Sequence, residues 1–225
     1  MTPADITVVI PALNEEHAIR CSVHSAVSAG ASEVFVCDGG SRDNTVERAT
    51  EAGASSVVRS SPGRGVQMNS AAELASGIFI LFLHADNELP KQALKQICLH
   101  EDAAWGAFRQ KIDSRRKIYR LIEYGNDLRV RWRKVPFGDQ GMFVRRSLFE
   151  EQKGFAELPL MEDVELSHRL RKIEPPVLLP GPLHISARRW ESKGVVRQTV
   201  TNWMIQLSYA RGVSVAQLAR KYYGN

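Results

Sequence analysis

Four short apolar runs, at 6–10, 33–37, 56–59 and 78–83, divide the first part of the chain, and none shows the alternation of a half-exposed strand. Runs of this length without alternation read as strands covered on both faces, as in parallel sheets flanked by helices. Helical patterns fill the gaps at 14–29, stopped by Gly30, at 43–52, stopped by Gly53, and at 66–75 and 90–100. Glycine just past the last periodic residue is a common helix stop. The alternation of strand and helix therefore predicts an α/β fold with a mostly parallel central sheet. The second half is less regular. A strand is predicted over 104–112, a helix over 115–131, a strand over 140–144 and a short amphipathic helix over 162–172. Two short strands at 177–179 and 183–186 follow, then a helical pair at 195–209 and 213–222 separated by Gly212.

Composition narrows the class without changing this picture. With 225 residues, 44% hydrophobic and 24% charged, the chain holds enough apolar surface for one sizeable core. We expect a single domain over 1–225, in two halves (1–103 and 104–190) and a C-terminal helical extension (191–225). No run approaches the ~18 apolar residues of a membrane span. No basic and apolar leader precedes the first strand, so a cytoplasmic location, or one peripheral to the inner face of a membrane, is expected. Cys21, Cys37 and Cys98 are scattered, without the spacing of a zinc or disulfide framework. The net charge of +5 is a mild excess, concentrated between Arg109 and Lys134, where Arg115, Arg116, Lys117, Arg120, Arg129, Arg131, Arg133 and Lys134 outnumber Asp113, Glu123 and Asp127. Most such residues are expected on a solvated helix face. Trp203, Met204, Leu207 and Tyr209 fall at helical spacing beside Arg197 and Arg211. Stripes of this kind usually pack on the domain or on a second subunit, making a homodimer, and the alternative is peripheral contact with an anionic membrane.

The strongest candidate for chemistry follows the run at 78–83, where His84, Asp86, Asn87 and Glu88 succeed six apolar residues. In open α/β sheets, ligands bind outside the carboxyl ends of the strands, which puts Asp86 at a cleft. Gly63-Arg64-Gly65 before a helix suits a phosphate or other anion. Neither the dinucleotide fingerprint G-x-G-x-x-G nor the P-loop follows a strand.

Taken in order, the motifs at 8–16 (Val-Val-Ile-Pro-Ala-Leu-Asn-Glu-Glu), 36–45 (Val-Cys-Asp-Gly-Gly-Ser-Arg-Asp-Asn-Thr), 63–69 (Gly-Arg-Gly-Val-Gln-Met-Asn) and 83–86 (Leu-His-Ala-Asp) resemble the family 2 glycosyltransferases of the GT-A fold. The resemblance continues through Gly-Asp-Gln-Gly at 138–141, Met-Glu-Asp-Val-Glu-Leu at 161–166 and Ala-Arg-Arg-Trp at 187–190, and is similar to the small branch associated with radical-SAM and selenium-domain proteins. It implies a GT-A type, Rossmann-like three-layer sandwich with 1–103 as a nucleotide-binding half and 104–190 as an acceptor-binding half. It also implies transfer of a sugar from a UDP- or GDP-sugar donor to an acceptor, with inversion and a divalent cation, Mn²⁺ or Mg²⁺. By the same resemblance, Pro11, Ala12, Asn14, Glu15 and Asp38 hold the nucleoside, Arg64 and Asn69 face the base or diphosphate, and His84 and Asp86 complete the donor site. Asp86 is the expected metal ligand and His184 an additional one. His84 stands where the family pattern Asp-x-Asp has its first Asp. Asp163, within the pair Glu162-Asp163, is the expected general base. Asp139 is implied as an acceptor or donor-sugar contact, with Arg188, Arg189 and Trp190 as a phosphate-neutralising and apolar wall. No nucleic-acid partner is implied. Two other readings remain: a silent nucleotide-sugar binding module, motivated by His84, and a nucleotidyltransferase, for which 11–16 lacks the Gly-rich, Lys-containing loop.

Overall fold

The computed structural model describes residues 1–224. Eight strands form one sheet in the order β3-β2-β1-β4-β7-β6-β8-β5. They are β1 (Ile6–Ala12), β2 (Glu33–Asp38), β3 (Ser56–Arg59), β4 (Phe79–Phe82), β5 (Asn87–Glu88), β6 (Trp105–Ile112), β7 (Met142–Arg145) and β8 (Val177–Ile185). Strands β1 to β4 pair in parallel, whereas β7 runs antiparallel to both β4 and β6, and β5 antiparallel to β8. The β6–β8 pair is parallel, with one irregularity.

The absence of alternation in the apolar runs has a direct explanation. Ile6, Val8, Ile10, Phe79 and Leu81 belong to one buried cluster, and Val9, Ile80 and Phe82 to another on the opposite face. Successive side chains point to opposite faces, so a strand covered on both sides needs apolar residues throughout. Helices α1 (Ile19–Ser28), α4 (Ala93–Cys98) and α5 (Ile118–Arg133) supply Val23, Leu94 and Tyr119 to the first cluster. Helices α3 (Arg64–Ala72), α6 (Arg146–Glu151) and α7 (Glu162–Leu170) supply Met68, Phe149 and Leu166 to the second. Helix α2 (Thr45–Glu51) follows β2. Three layers result.

A third cluster joins Val164 of α7 and Val135 to Ile205 of α9 (Val195–Ala210) and Leu218 of α10 (Val215–Tyr223), so the C-terminal pair is packed onto the α7 side of the domain. No helix among the described residues is long and apolar enough to cross a membrane.

Several boundaries differ from expectation. The first helix starts at Ile19 rather than at residue 14, because Asn14 takes a left-handed φ of 54° and the main chain of Asn14, Glu15 and Glu16 bonds Ser41, Thr45 and Asp43. The two short strands predicted at 177–186 are one strand, β8. Helices α6 and α8 (Arg188–Lys193), six residues each, were not predicted, since so short an element carries too few turns to show a period. The stripe on α9 divides: Trp203, Met204 and Leu207 are exposed, while Tyr209 packs against the third cluster, which Ile205 of the same helix enters.

Candidate functional site

Strand β4 ends at Phe82, and after the buried Leu83 the chain turns so that His84 and Asp86 emerge at its carboxyl edge. The two-residue strand β5 pairs Asn87 with Ile185 and Glu88 with His184, which brings the start of α8 beside Asp86. Arg188 lies there, 2.8 Å from the Glu15 carboxylate and 3.9 Å from that of Asp86.

Asp163 arrives from the opposite side. Met161, at φ 69°, turns the chain into α7, whose first turn carries Glu162, Asp163 and Glu165, a placement that suits the helix dipole. The Gly138 N–H donates to Asp163 Oδ2 at 2.6 Å and the Val164 N–H to Oδ1 at 2.7 Å. Gly138 allows this approach: a Cβ there would stand 3.1 Å from His84 Nε2 and 3.3 Å from Asp163 Oδ2. Glu162 is buried against Arg64, at 2.9 Å. Gly65 makes that pairing reachable, since a Cβ at this position would meet the Ala156 carbonyl at 2.8 Å and hold α3 away.

Asp86 and Asp163 line one cavity of about 160 Å³, together with Arg64, His84, Asp139, Arg189 and Trp190. Phe137, Leu160 and Ile185 add apolar wall, and Asn202, Ile205 and Gln206 of α9 with Tyr222 of α10 close the far side. Arg189 donates to the Tyr222 hydroxyl at 2.8 Å. A second groove of about 360 Å³ shares Asp86 and includes His17, Glu88, Asp113, His184 and Arg188.

The 137–140 turn is held from below. Arg129 lies over the Phe137 ring, 3.4 Å from its centroid, and donates to Asn126 and to the Val135 carbonyl. The Asp139 carbonyl accepts from Asn87 and Gln110, each at 3.0 Å. Two buried polar atoms of cavity residues, Asp139 Oδ1 and Trp190 Nε1, have no hydrogen-bond partner among the described residues. Buried polar atoms are normally paired, and such exceptions point to a ligand or ordered water.

Electrostatics follow from burial and neighbours. Burial, with Arg64 and Arg189 alongside, pushes His84 down to about 3, so the ring is neutral at physiological pH. Burial raises Asp139, with Arg129 opposing and Asp163 reinforcing. Glu162 is also raised by burial despite Arg64. Burial alone would lower Arg64, but Glu162 and Asp163 outweigh it and hold the guanidinium above its ordinary value. Arg129 is lowered by burial to about 10.

For a divalent cation the donor set is partial. His184 Nδ1 sits 2.9 Å from Asp113 Oδ1, which fixes the ring and leaves Nε2 for another partner in the groove that Asp86 also lines. Metal-binding histidines characteristically engage a carboxylate in this way. Among the described residues, no three His, Cys, Asp or Glu side chains converge to cage a metal by themselves. One or two protein ligands fit a hard cation that completes its shell with phosphate oxygens and water.

The expected residues thus separate. Asp86, Arg64, His84, Asp139, Asp163, Arg189 and Trp190 share one cavity, with Glu162 behind it and Arg188 and His184 on the adjoining groove. Asn69 stands apart: its Oδ1 accepts from the Phe155 N–H and its Nδ2 donates to the Phe155 carbonyl, both at 2.9 Å, which ties its amide to a loop. Asp38 is buried and accepts from the Gly40 and Ser41 N–H groups, the turn-forming use of that residue. Asn14 bonds the Arg42 N–H, and the Ala12 carbonyl accepts from Gln67. Pro11 and Ala12 are buried in β1. His84 lies with Asp163 in the inner cavity, not in the groove that holds His184. Arg129, Gln110, Asn202, Gln206 and Tyr222 were not anticipated. For Arg129 a signal existed, since it sits on α5 beside the inward-facing Asn126 and Val130; for Tyr222 none did.

A β1–β4 half-sheet of GT-A type with an acid at the rim of β4, faced by a second acid heading a late helix, defines a class. Residues 7–152 match the profile of glycosyl transferase family 2, and the chain belongs to that family. Over 72 residues it is 38% identical to glycosyltransferase AglJ of Haloferax volcanii, covering 32% of this chain and 24% of that one. TarS of S. aureus (residues 1–349) superposes with a TM-score of 0.66 at 19% identity, covering 83% of this chain and 61% of TarS. Glucosyl-3-phosphoglycerate synthase of Mycobacterium tuberculosis, solved with Mn²⁺, UDP and glucosyl-3-phosphoglycerate, superposes with a TM-score of 0.54 at 21% identity, covering 80% and 70%. The chain therefore spans about a quarter of AglJ and about three fifths of the TarS fragment.

Proposed function

We propose that the protein transfers a glycosyl group from a nucleoside diphosphate sugar to an acceptor hydroxyl, with inversion at the anomeric carbon. The observation that carries this reading is the meeting of Asp86 and Asp163 in one cavity of about 160 Å³. Similar folds support a uridine donor, since TarS has been solved with UDP-GlcNAc, and the M. tuberculosis synthase with UDP and Mn²⁺.

In the proposed step the acceptor oxygen forms a bond to the anomeric carbon as the bond from that carbon to the phosphate oxygen breaks. The electron pair leaves with the nucleoside diphosphate, and Asp163 takes the acceptor proton. Asp163 suits this role because the Gly138 and Val164 N–H groups fix its carboxylate. Glu162 anchors Arg64 at the cavity wall, and Asp139 presents an unpartnered oxygen to the sugar or the acceptor. Arg188 and Arg189 bring positive charge toward the diphosphate, while Trp190 forms an apolar face. Asp86, with His184 across the groove, would hold Mn²⁺ or Mg²⁺, which supplies charge neutralisation for the leaving diphosphate. The Asp163 carboxylate, held by two N–H groups at the cavity, favours turnover over a silent binding module.

The test is Asp163→Asn. Transfer, read as nucleoside diphosphate released in the presence of Mn²⁺ and acceptor, should fall about 10²- to 10⁴-fold, the usual contribution of a positioned base. Donor affinity and melting temperature should stay near wild type. Turnover retained in a folded variant would remove Asp163 from the mechanism.

A further inference from the structure

Two exposed apolar stripes remain unexplained by the cavity. On α5, Leu121, Tyr124 and Trp132 face solvent at one helical spacing, with Trp132 82% exposed. On α9, Val196, Val200, Trp203, Met204 and Leu207 do the same, with Trp203 68% exposed. The two helices are anchored to the same part of the domain. Tyr119, near the start of α5, packs edge-on against Trp190 just ahead of α9, and Val135, just past the end of α5, shares a cluster with Ile205 of α9.

Charge follows the same division. Residues 115–134 hold eight Lys and Arg against two acids, the basic residues all exposed except Arg129, which supports the 137–140 turn, and residues 192–225 hold five against none. Both acids of the first stretch are already engaged, Glu123 with Arg120 and Asp127 with Arg109. These two stretches carry more positive charge than the whole chain's net +5, so the remainder is net acidic.

We propose that α5 and α9 form a face that docks onto an anionic lipid bilayer. Trp, Tyr and aliphatic side chains enter the interfacial layer, while the flanking Lys and Arg meet lipid phosphates. A second copy of the chain is a poorer occupant, because an isologous contact would set the same basic surface against itself. Nucleic acid would satisfy the charges but leave Leu121, Val196, Val200 and Leu207 without apolar partners. Since Asn202, Ile205 and Gln206 on the other side of α9 line the cavity, docking would put the cavity about one helix diameter, ~10 Å, from the lipid. The proposal does not depend on the chemistry assigned to Asp163.

Co-sedimentation of the full chain with vesicles tests it. The protein should pellet with vesicles of phosphatidylglycerol mixed with phosphatidylcholine, and not with phosphatidylcholine alone. Binding should weaken when NaCl is raised to about 0.5 M, where the screening length falls to ~4 Å. The double variants Leu121→Ser with Trp132→Ser and Trp203→Ser with Leu207→Ser, altered only at exposed positions, should each bind at least ~10-fold more weakly while keeping the wild-type melting temperature. Failure to pellet with the anionic vesicles at low salt overturns the proposal. So does lipid binding that ignores both double variants, or a dimer in sedimentation velocity that these substitutions dissociate. Tighter retention on an oligonucleotide than on vesicles would also overturn it.

Discussion

The two sides of the cleft use their motif residues differently. On the first side, at the ends of β1 and β2, Asn14 and Asp38 bond the neighbouring turn, and Asn69 of α3 clamps the Phe155 main chain. On the second side, Asp139, Asp163, Arg189 and Trp190 face the cavity, and the hydrogen bonds that hold them come largely from main chain or from residues outside the motifs. Polar residues at the ends of β1 and β2 satisfy buried turns, unlike His84 and Asp86 beyond β4, which line the cavity. Those on the loop and helices of the second half are positioned by others and keep free valences. The difference teaches that a motif can be diagnostic of a family while its side chains build the rim rather than touch what binds there.

Substitutions can break or sharpen this contrast. Asp86→Asn should have the largest effect on the donor. In Mn²⁺ its affinity for a nucleoside diphosphate should drop about 10- to 100-fold, the range seen when metal-supporting groups are lost. In chelator the variant and the wild type should bind alike, and isothermal titration under both conditions reads the difference. Equal loss with and without metal would place Asp86 among the rim builders instead.

Asn69→Ala probes the opposite side of the contrast. Losing two side-chain bonds to the Phe155 main chain should cost about 2 kcal/mol, read by urea denaturation, with donor affinity unchanged once the protein is folded. A selective loss of donor affinity at unchanged stability would restore Asn69 to the ligand.

The last substitution concerns His84 in metal-free protein, where the effect is confined to acid pH. Its folded value, about 3, lies below the unfolded 6.5. Between those values the unfolded chain takes up a proton that the folded chain refuses, so stability declines as pH falls from about 6.5 toward 3. The decline attributable to this ring is at most about 1.4 kcal/mol per pH unit. His84→Asn should flatten that limb while leaving stability above pH 7 with its wild-type pH dependence. An unchanged acid limb would mean that the ring is not buried as a neutral group.

Much of the fold was legible because the strands of the first half are covered on both faces, and that condition writes itself as continuous apolar runs. The β1 to β4 strands and their helices follow from it. Helices α6 and α8 were not legible, since six residues show too little period. Nor was the start of α1, where side chains of the 41–45 turn capture the N–H groups of residues 14–16. At the site, motif order pointed to Asp86, Asp139, Asp163, Arg189 and Trp190, whereas the contributions of Arg129 and Tyr222 depend on where two helices come to rest.

Local pattern and spacing alone set the order of the β1 to β4 strands and their helices, the acid after β4 and the acid pair that opens α7. Only the tertiary structure decided which polar residues remain free, since a side chain's partners are set by distant segments: Phe155 for Asn69, Gly138 for Asp163, Asp113 for His184. It also decided that α9 turns Ile205 inward and leaves Trp203 in solvent. Helical spacing groups residues onto a face, and only packing determines which face is covered.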